Sequence, residues 1–393
     1  MSSSSPHKPK ILIIVSRFPY PLEKGDKLRA YHQIKELAKE FNVTLFSLSD
    51  KPVKAEHREI VEKICSELYI HELKPLTRFF YLVKALFSSL PIQTGYFFSQ
   101  RAKSKIKSLI TENNYKYIYC QLIRTAEYVK NIHDTPKTLD YMDALSAGIL
   151  RRVDRQPFYK KWLFKLEGNR LLKYEQSIFD FFEHRTIISD QDRQLIAHPD
   201  RDKILCVPNG IDESFFENVE RPEKFDFVFV GNMSYPPNVD AVAYIVNEIL
   251  PEFKNSTLLI SGATPHYSVV KIANANSNVE LTGWVDDIRK SYANGKIFLA
   301  PMMIGTGMQN KLLEAMALKT PCITTDLANN AIKANPDSQI LVGNSKQEIL
   351  DKIELLLNNP ELRKKIANGG HNYVRDKFSW SKSTEELIDL IKR

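Results

Sequence analysis

The sequence predicts an α/β protein made of two doubly wound, Rossmann-like domains in tandem. Three observations carry that expectation. A short β-branched run near the start is followed by loop, amphipathic helix and second strand. The same order begins again at residue 225. The length, 393 residues, exceeds one ordinary core and suits two. In the first half, Ile11–Val15 is a continuous run of buried-strand type, and the loop Phe18–Lys27 holds Pro19, Pro21 and Gly25. Leu28–Phe41 then places Leu28, Tyr31, Ile34, Leu37 and Ala38 on one helical face, and Val43–Leu48 is the next strand. Tyr117–Cys120 and Thr186–Ser189 are further strands. In the second half, strands are expected at Phe225–Val230, Ser256–Ser261, Val279–Leu281, Lys296–Pro301 and Cys322–Thr325. Helices are expected at Val239–Ile249, Lys311–Leu318, Lys346–Leu357 and Pro360–Lys377, and a last one at Ser381–Lys392. The domains are expected at residues 1–205 and 206–377, with 378–393 returning to pack on the first.

Composition narrows the function. Hydrophobic residues make up 43% and charged ones 26%, which fits a globular chain rather than a disordered one. Cys65, Cys120, Cys206 and Cys322 are scattered, with no metal or redox spacing, and are read as reduced thiols in a cytoplasmic protein. The nine histidines form no ligand cluster, so no metal site and no cofactor are expected. The apolar run Ile11–Val15 is too short for a signal sequence, and no stretch approaches the ~20 apolar residues of a spanning helix. Residues 1–205 hold 35 Lys and Arg against 24 Asp and Glu, whereas the remainder holds 20 against 23. The basic half fits either an anionic surface or ordinary solvated lysines.

One segment concentrates the chemistry. The strand Ile297–Pro301 is followed by the Gly-rich turn Met302–Gln309 and by a helix carrying Lys311 and Glu314. Backbone N–H groups of such a turn, with the helix dipole, suit a phosphate. Gly305 and Gly307 permit close approach, Lys311 can neutralise charge, and Glu314, one turn on, can accept sugar hydroxyls. A plain βα turn with a solvated Glu314 is the other reading of the same residues. Gly305-x-Gly307 with Asp326 mimics a dinucleotide fingerprint, but Asn310 stands where a third small residue belongs, so no nicotinamide cofactor is expected.

The stretch Gly305-Thr-Gly-Met-Gln-Asn-Lys-Leu-Leu-Glu-Ala-Met-Ala317, with Pro321–Asp326, resembles the donor-site signature of GT-B glycosyltransferases of family 4 (group 1). Val207–Asp212, Phe229–Asp240 and Leu281–Val285 resemble the family's hinge turn, second-domain entry loop and nucleobase loop. Phe18–Arg29 resembles the N-terminal loop of a bacterial sugar-transferase subgroup associated with exopolysaccharide systems. The resemblance implies a GT-B fold, two Rossmann-like domains facing across a cleft. It also implies transfer of a sugar from a nucleotide-diphosphate donor with retention and without metal. Carried over, Glu314 grips the ribose, the amides around Gly305, Thr306, Gly307 and Met308 hold the diphosphate, Gln309 and Asn310 complete the donor-binding turn, and Lys311 compensates the charge at the reacting centre. Gly25 permits close approach, Asn209 lies at the hinge, Gly231 and Asn232 open the second domain, and Trp284 and Val285 frame the base.

The chain also departs from the family pattern. The first glutamate of the family's E-x7-E falls on Thr306, and Asn232 and Asn238 stand at or near places that carry Arg and Lys in many members. The family's first-domain histidine is missing from Cys120–Arg124. Arg29 and Arg124 are therefore further candidates for charge compensation, and Gln121, Arg124 and Asp143 for the reacting centre. Asp140 and Asp143 follow a strand end, where a carboxylate can serve as base or cap a helix. Arg78–Lys107 and Phe158–Leu172 interleave aromatics with cations, as either a core cluster or a face that meets the inner leaflet of the membrane. The expected partners are a nucleotide sugar and a sugar or lipid-linked acceptor, with no nucleic acid. A sugar-nucleotide epimerase and a non-catalytic nucleotide-sugar-binding subunit are the alternatives.

Overall fold

The computed structural model describes residues 8–154, 156–303 and 308–393. It divides into two compact units, one running to Pro208 and including Trp380–Arg393, the other spanning Asn209–Ser379. The division falls at Pro208 rather than 205, and the chain returns at Trp380 rather than 378. Phe378 stays with the second unit because its carbonyl accepts from the Ile211 amide at 2.7 Å and its ring joins that unit's core.

Among the described residues, the first unit holds strands β1 (Lys10–Val15), β2 (Asn42–Ser49), β3 (Glu67–Glu72), β4 (Tyr117–Gln121), β5 (Lys137–Asp140), β6 (His184–Ile187) and β7 (Leu205–Cys206). They form one parallel sheet in the order β3-β2-β1-β4-β5-β6-β7. Along β1 the side chains alternate between two cores: Leu12 and Ile14 enter one, and Ile11, Ile13 and Val15 the other. This double burial is why an unbroken β-branched run reads as a central strand. The edge strand β3 (ELYIHE) is only half-buried, so its composition does not announce it. The helix Gly25–Glu40 starts three residues before the apolar face does, at Gly25. The last helix, Trp380–Lys392, sends Leu387 and Ile391 into the core beside Ile34 and stacks Trp380 on His32 with ring centroids 4.8 Å apart.

The second unit holds β8 (Phe225–Val230), β9 (Leu258–Ser261), β10 (Val279–Gly283), β11 (Gly295–Ala300), β12 (Cys322–Thr324) and β13 (Leu341–Val342), parallel in the order β10-β9-β8-β11-β12-β13. The helix expected at Val239–Ile249 begins earlier, at Pro236, because proline suits a first helical turn. It widens into a π-type turn at Ile245–Ile249, just ahead of Pro251.

This topology places the sites. Strand order reverses between β1 and β4 in the first unit and between β8 and β11 in the second. In open α/β sheets, ligands bind outside the carboxyl ends of strands at such reversals. The segments concerned are Ser16–Lys24 and the turn after Gln121 in the first unit, and Gly231–Tyr235 and the turn after Ala300 in the second.

Candidate active site

In the second unit, β8 delivers Gly231 and Asn232, and β11 delivers Pro301 and Met302. The helix Asn310–Ala317 starts behind Gln309, whose side chain does not cap it and whose carbonyl accepts from the Leu312 amide at 2.9 Å. Gly305, Thr306 and Gly307 lie outside the described residues. Lys311, in that first turn, donates from Nζ to Asn238 Oδ1, lies 3.7 Å from Met302 Sδ, and sits 5.0 Å from the Phe229 ring centroid. Burial brings its pKa down to about 7, with Glu314 opposing the shift.

Glu314 accepts from the Tyr292 hydroxyl at 2.7 Å on Oε2. Burial raises its pKa, while the Tyr292 bond and Lys311 pull the other way. Tyr292 is fully buried, and burial with the nearby carboxylate pushes its phenol well above the ordinary range. A rigid core donor therefore fixes one carboxylate oxygen, which orients Glu314 for bidentate acceptance from a diol. Sequence reasoning missed Tyr292, because nothing local in SYAN marks a tyrosine whose partner is 22 residues on.

Asn238, which stands at or near a cation position of the family, is a partner of Lys311. It is the acceptor for Lys311 and donates from Nδ2 to the Asn232 carbonyl at 2.8 Å. A cation at Asn238 would repel Lys311, so the substitution there is consistent with charge supplied from Lys311. Gly231 is required for this arrangement: a Cβ there would lie 2.6 Å from Asn238 Nδ2. The Asn232 side chain closes its own turn, accepting from the Ser234 amide and hydroxyl and from Thr264 Oγ1. Buried Asn209 donates to Asn310 Oδ1 at 3.3 Å and so braces the helix start. Trp284 is exposed and, with Val285, Thr282 and Lys290, lines a cavity of about 420 Å³. Met308 packs against the core of this unit, and Gln309 is buried.

In the first unit a second polar group gathers behind β1, β4 and β5. Arg17 pairs with Asp26 at 2.6 Å. The guanidinium groups of Arg17 and Arg124 lie 5.3 and 5.1 Å from the centroid of the Phe97 ring. Arg124 donates to Gln93 Oε1 at 2.8 Å, and burial together with Arg17 brings its pKa down to about 10. Arg17 Nε, Arg124 Nη1 and Asp143 Oδ1 are buried with no hydrogen-bond partner. Such atoms carry a desolvation cost that a polar ligand relieves. Burial, then Asp192, raises the Asp143 carboxyl to about 7, against the pull of Arg124. Gln121 donates to the Asp26 carbonyl at 3.0 Å, steadying the head of the helix that Gly25 begins. Gly25 is exposed there. Leu122 and Met142, the residues that follow β4 and β5 closely, hold positive φ of 64° and 66°, strain that commonly collects at functional turns. Sequence reasoning passed over Arg17 and Asp26; the signal was their place just after β1 and at the head of the helix that follows, beside the strand reversal.

Arg29 is a correction. It is fully buried and bonded to Asp140 at 2.7 and 3.0 Å and to the Val207 carbonyl at 2.9 Å. Burial opposes its charge, but Asp140 outweighs this and keeps the guanidinium ionised. Arg29 therefore ties the helix to β5 and does not present charge to a donor. Asp140, which also accepts from Thr186 Oγ1 at 2.9 Å, is likewise spent in the core and is not an acceptor-side base.

Residues 224–359 match the family of glycosyl transferases group 1. A Klebsiella pneumoniae protein of 44.6 kDa, uncharacterized and from the cps region, is 22% identical over 401 aligned residues, covering 95% of this chain and 97% of that protein. The capsular polysaccharide biosynthesis glycosyltransferase CapM of Staphylococcus aureus is 30% identical over 189 residues, 46% of this chain and 49% of CapM. Among solved structures, Anabaena HepE in complex with UDP and glucose superposes with a TM-score of 0.69 at 11% identity, covering 98% of this chain and 99% of HepE, which shows a shared fold. Among the described residues, no helix is long and apolar enough to cross a membrane. The chain thus has a GT-B fold, its residues 224–359 match the group 1 glycosyl transferases, and it is similar to proteins of bacterial capsule loci.

Proposed function

We propose that the chain transfers a sugar from a nucleoside-diphosphate donor to a sugar or lipid-linked acceptor in bacterial surface-glycan synthesis, with retention and without a metal. The arrangement of Lys311, Glu314 and Tyr292 at the β8/β11 reversal carries this reading. Glu314 takes the ribose diol. The amides of the first turn of Asn310–Ala317 and the Lys311 ammonium take the diphosphate, where negative charge grows as the glycosidic bond breaks. The bound UDP of HepE, a protein of the same fold, supports a nucleotide donor. In the first unit, Arg124 and Asp143 supply the acceptor-side polar groups, Asp143 with a pKa near neutrality as a proton acceptor requires. Acceptor-dependent release of nucleoside diphosphate tests the reading. Asp143→Asn is expected to lower that release about 100-fold or more while leaving donor affinity within about twofold. Equal losses in both would place Asp143 outside the reaction.

Lys311 gives the donor site a pH signature. Its pKa is about 7 in the ligand-free protein, and a diphosphate raises it, so binding takes up a proton. Donor affinity is expected to be full below pH 7 and to weaken by about tenfold per unit as pH rises above it, until the pKa of the bound state is reached. Calorimetric titration of UDP across pH 6 to 9, in buffers of different ionisation heat, reads both the affinity and the proton. A flat profile with no proton uptake would remove Lys311 from the site.

A further inference from the structure

One cavity of the first unit takes no part in the donor chemistry. It has a volume of about 230 Å³ and lies between the loop after β1, the head of the helix Gly25–Glu40, the end of β2 and the start of the helix Ala55–Glu62. Most ligand pockets hold several hundred Å³, so this one suits a single small ring rather than a chain. One wall is aromatic. The half-buried Tyr20 ring is held by His57, with ring centroids 5.1 Å apart, and by Tyr31 at 6.1 Å. A fixed aromatic face of this kind suits the apolar face of a pyranose. Pro21 and Pro52 stiffen the loops that border it.

The other walls are charged, and cations outnumber carboxylates: Arg17, Lys24, Lys27, Lys51 and Lys54 stand against Glu23 and Asp50. Arg17 pairs with Asp26 at 2.6 Å and Lys54 with Glu56 at 3.5 Å. Among the described residues, Lys24, Lys27 and Lys51 make no ion pair. Lys27 is half-buried, and its Nζ reaches only the Tyr20 carbonyl, at 3.5 Å. Burial lowers its pKa in spite of Asp26 and Glu23, and Lys24 and Arg17 push the same way. A partly desolvated ammonium without an ion-pair partner favours the arrival of an anion. Glu23 is exposed, and Asp50 accepts only from the Tyr96 hydroxyl, at 3.4 Å, so both can accept further hydroxyls. Arg17 ties the cavity to the reacting centre, because its guanidinium shares the Phe97 ring with that of Arg124.

We propose that this cavity binds one acidic sugar residue of the acceptor, with its ring against Tyr20, its carboxylate among Lys24, Lys27 and Lys51, and its hydroxyls toward Glu23 and Asp50. The proposal rests on the glycosyltransferase reading and names the chemical class of the acceptor, a glycan that carries a hexuronic acid. A neutral hexose leaves the three ammonium groups uncompensated. A bare phosphate leaves the Tyr20 face uncovered and meets the two carboxylates without a hydroxyl to offer them. A uronic acid satisfies the cations, the ring and the carboxylates together.

The full chain is titrated at low salt, by ligand-observed NMR, with the methyl glycosides of glucuronic, galacturonic and mannuronic acid. Each is measured beside its neutral hexose counterpart, and inorganic phosphate is measured as the bare anion. At least one uronide is expected to bind about fivefold or more tighter than its neutral counterpart and than phosphate. Lys27→Met is expected to bring that uronide and its counterpart to within about twofold of each other. The double variant Lys24→Gln with Lys51→Gln changes two exposed residues and is expected to do the same; it is the one read if Lys27→Met melts below the parent. Equal affinities for every uronide and its counterpart, no binding of any uronide, or a preference that survives in the folded variants would overturn the proposal. So would phosphate binding as tightly as the best uronide, which would leave a general anion site. Nucleotide-sugar binding to the same parent protein reports the glycosyltransferase reading separately, so the two fail independently.

Discussion

Replacing Lys311 by methionine is expected to lower transfer about 100- to 1000-fold, the loss seen when one donor to a developing oxyanion is removed. The loss is expected in donor KM as well as in kcat, because Lys311 meets the diphosphate already in the bound donor and the charge there grows further as the sugar leaves. Arginine is not expected to rescue, because its planar fork does not reproduce the point charge that Asn238, Met302 and the Phe229 ring hold in place. The same substitution is expected to leave stability unchanged or to raise it. Burial lowers the Lys311 pKa from its ordinary 10.5 to about 7, so between those values the unfolded chain binds more protons. The contribution of this group therefore falls as pH drops through that window, and methionine removes it. A thermal melt at pH 7 and a Michaelis analysis check the pair. An inactive variant that melts no lower than its parent marks Lys311 as kept for function; one that melts much lower marks it as structural.

Breaking the Arg29–Asp140 pair is expected to have the largest effect on stability. Both side chains are fully buried, and removal of one partner leaves an uncompensated charge. The cost is expected to be about 3–5 kcal/mol for Arg29→Met or Asp140→Ala. Replacing both together by apolar residues is expected to recover a large part of it, since the pair's own desolvation is then relieved. Urea titration of the singles and the double gives the coupling. Donor affinity, measured on the folded protein, is expected to stay within about twofold of the parent in all three, because Arg29 spends its donors on Asp140 and Val207. A selective loss of donor affinity in Arg29→Met would restore it to the donor site.

Arg29 also shows where the sequence stops being informative. Its partner lies 111 residues away, and no local pattern separates a loop-proximal arginine awaiting a phosphate from one already buried against a strand. Glu314 is the opposite case, legible because helix spacing puts it one turn beyond Lys311, yet the hydroxyl that orients it, from Tyr292, enters through tertiary packing. Strands buried on both faces, such as β1 and β8, were legible from unbroken apolar runs. The half-buried edge strand β3 and the two-residue strands β7 and β13 were not, since pairing rather than composition defines them. The interleaved aromatics of Arg78–Lys107 admitted both a core and a surface reading, and the structure divides them: Phe97 is buried under the arginine pair, while Phe79, Phe80 and Phe87 face outward. A single hydrophobicity pattern averages over that difference; burial resolves it.

The most direct test of the account is ligand-observed NMR of the full chain against UDP-, GDP-, TDP- and CMP-sugars, with Lys311→Ala and Glu314→Ala alongside. The account predicts selective binding of one nucleotide sugar, lost in both variants while their folded spectra persist. Binding that survives in both variants, or no binding by the folded parent to any of the four classes, would contradict it.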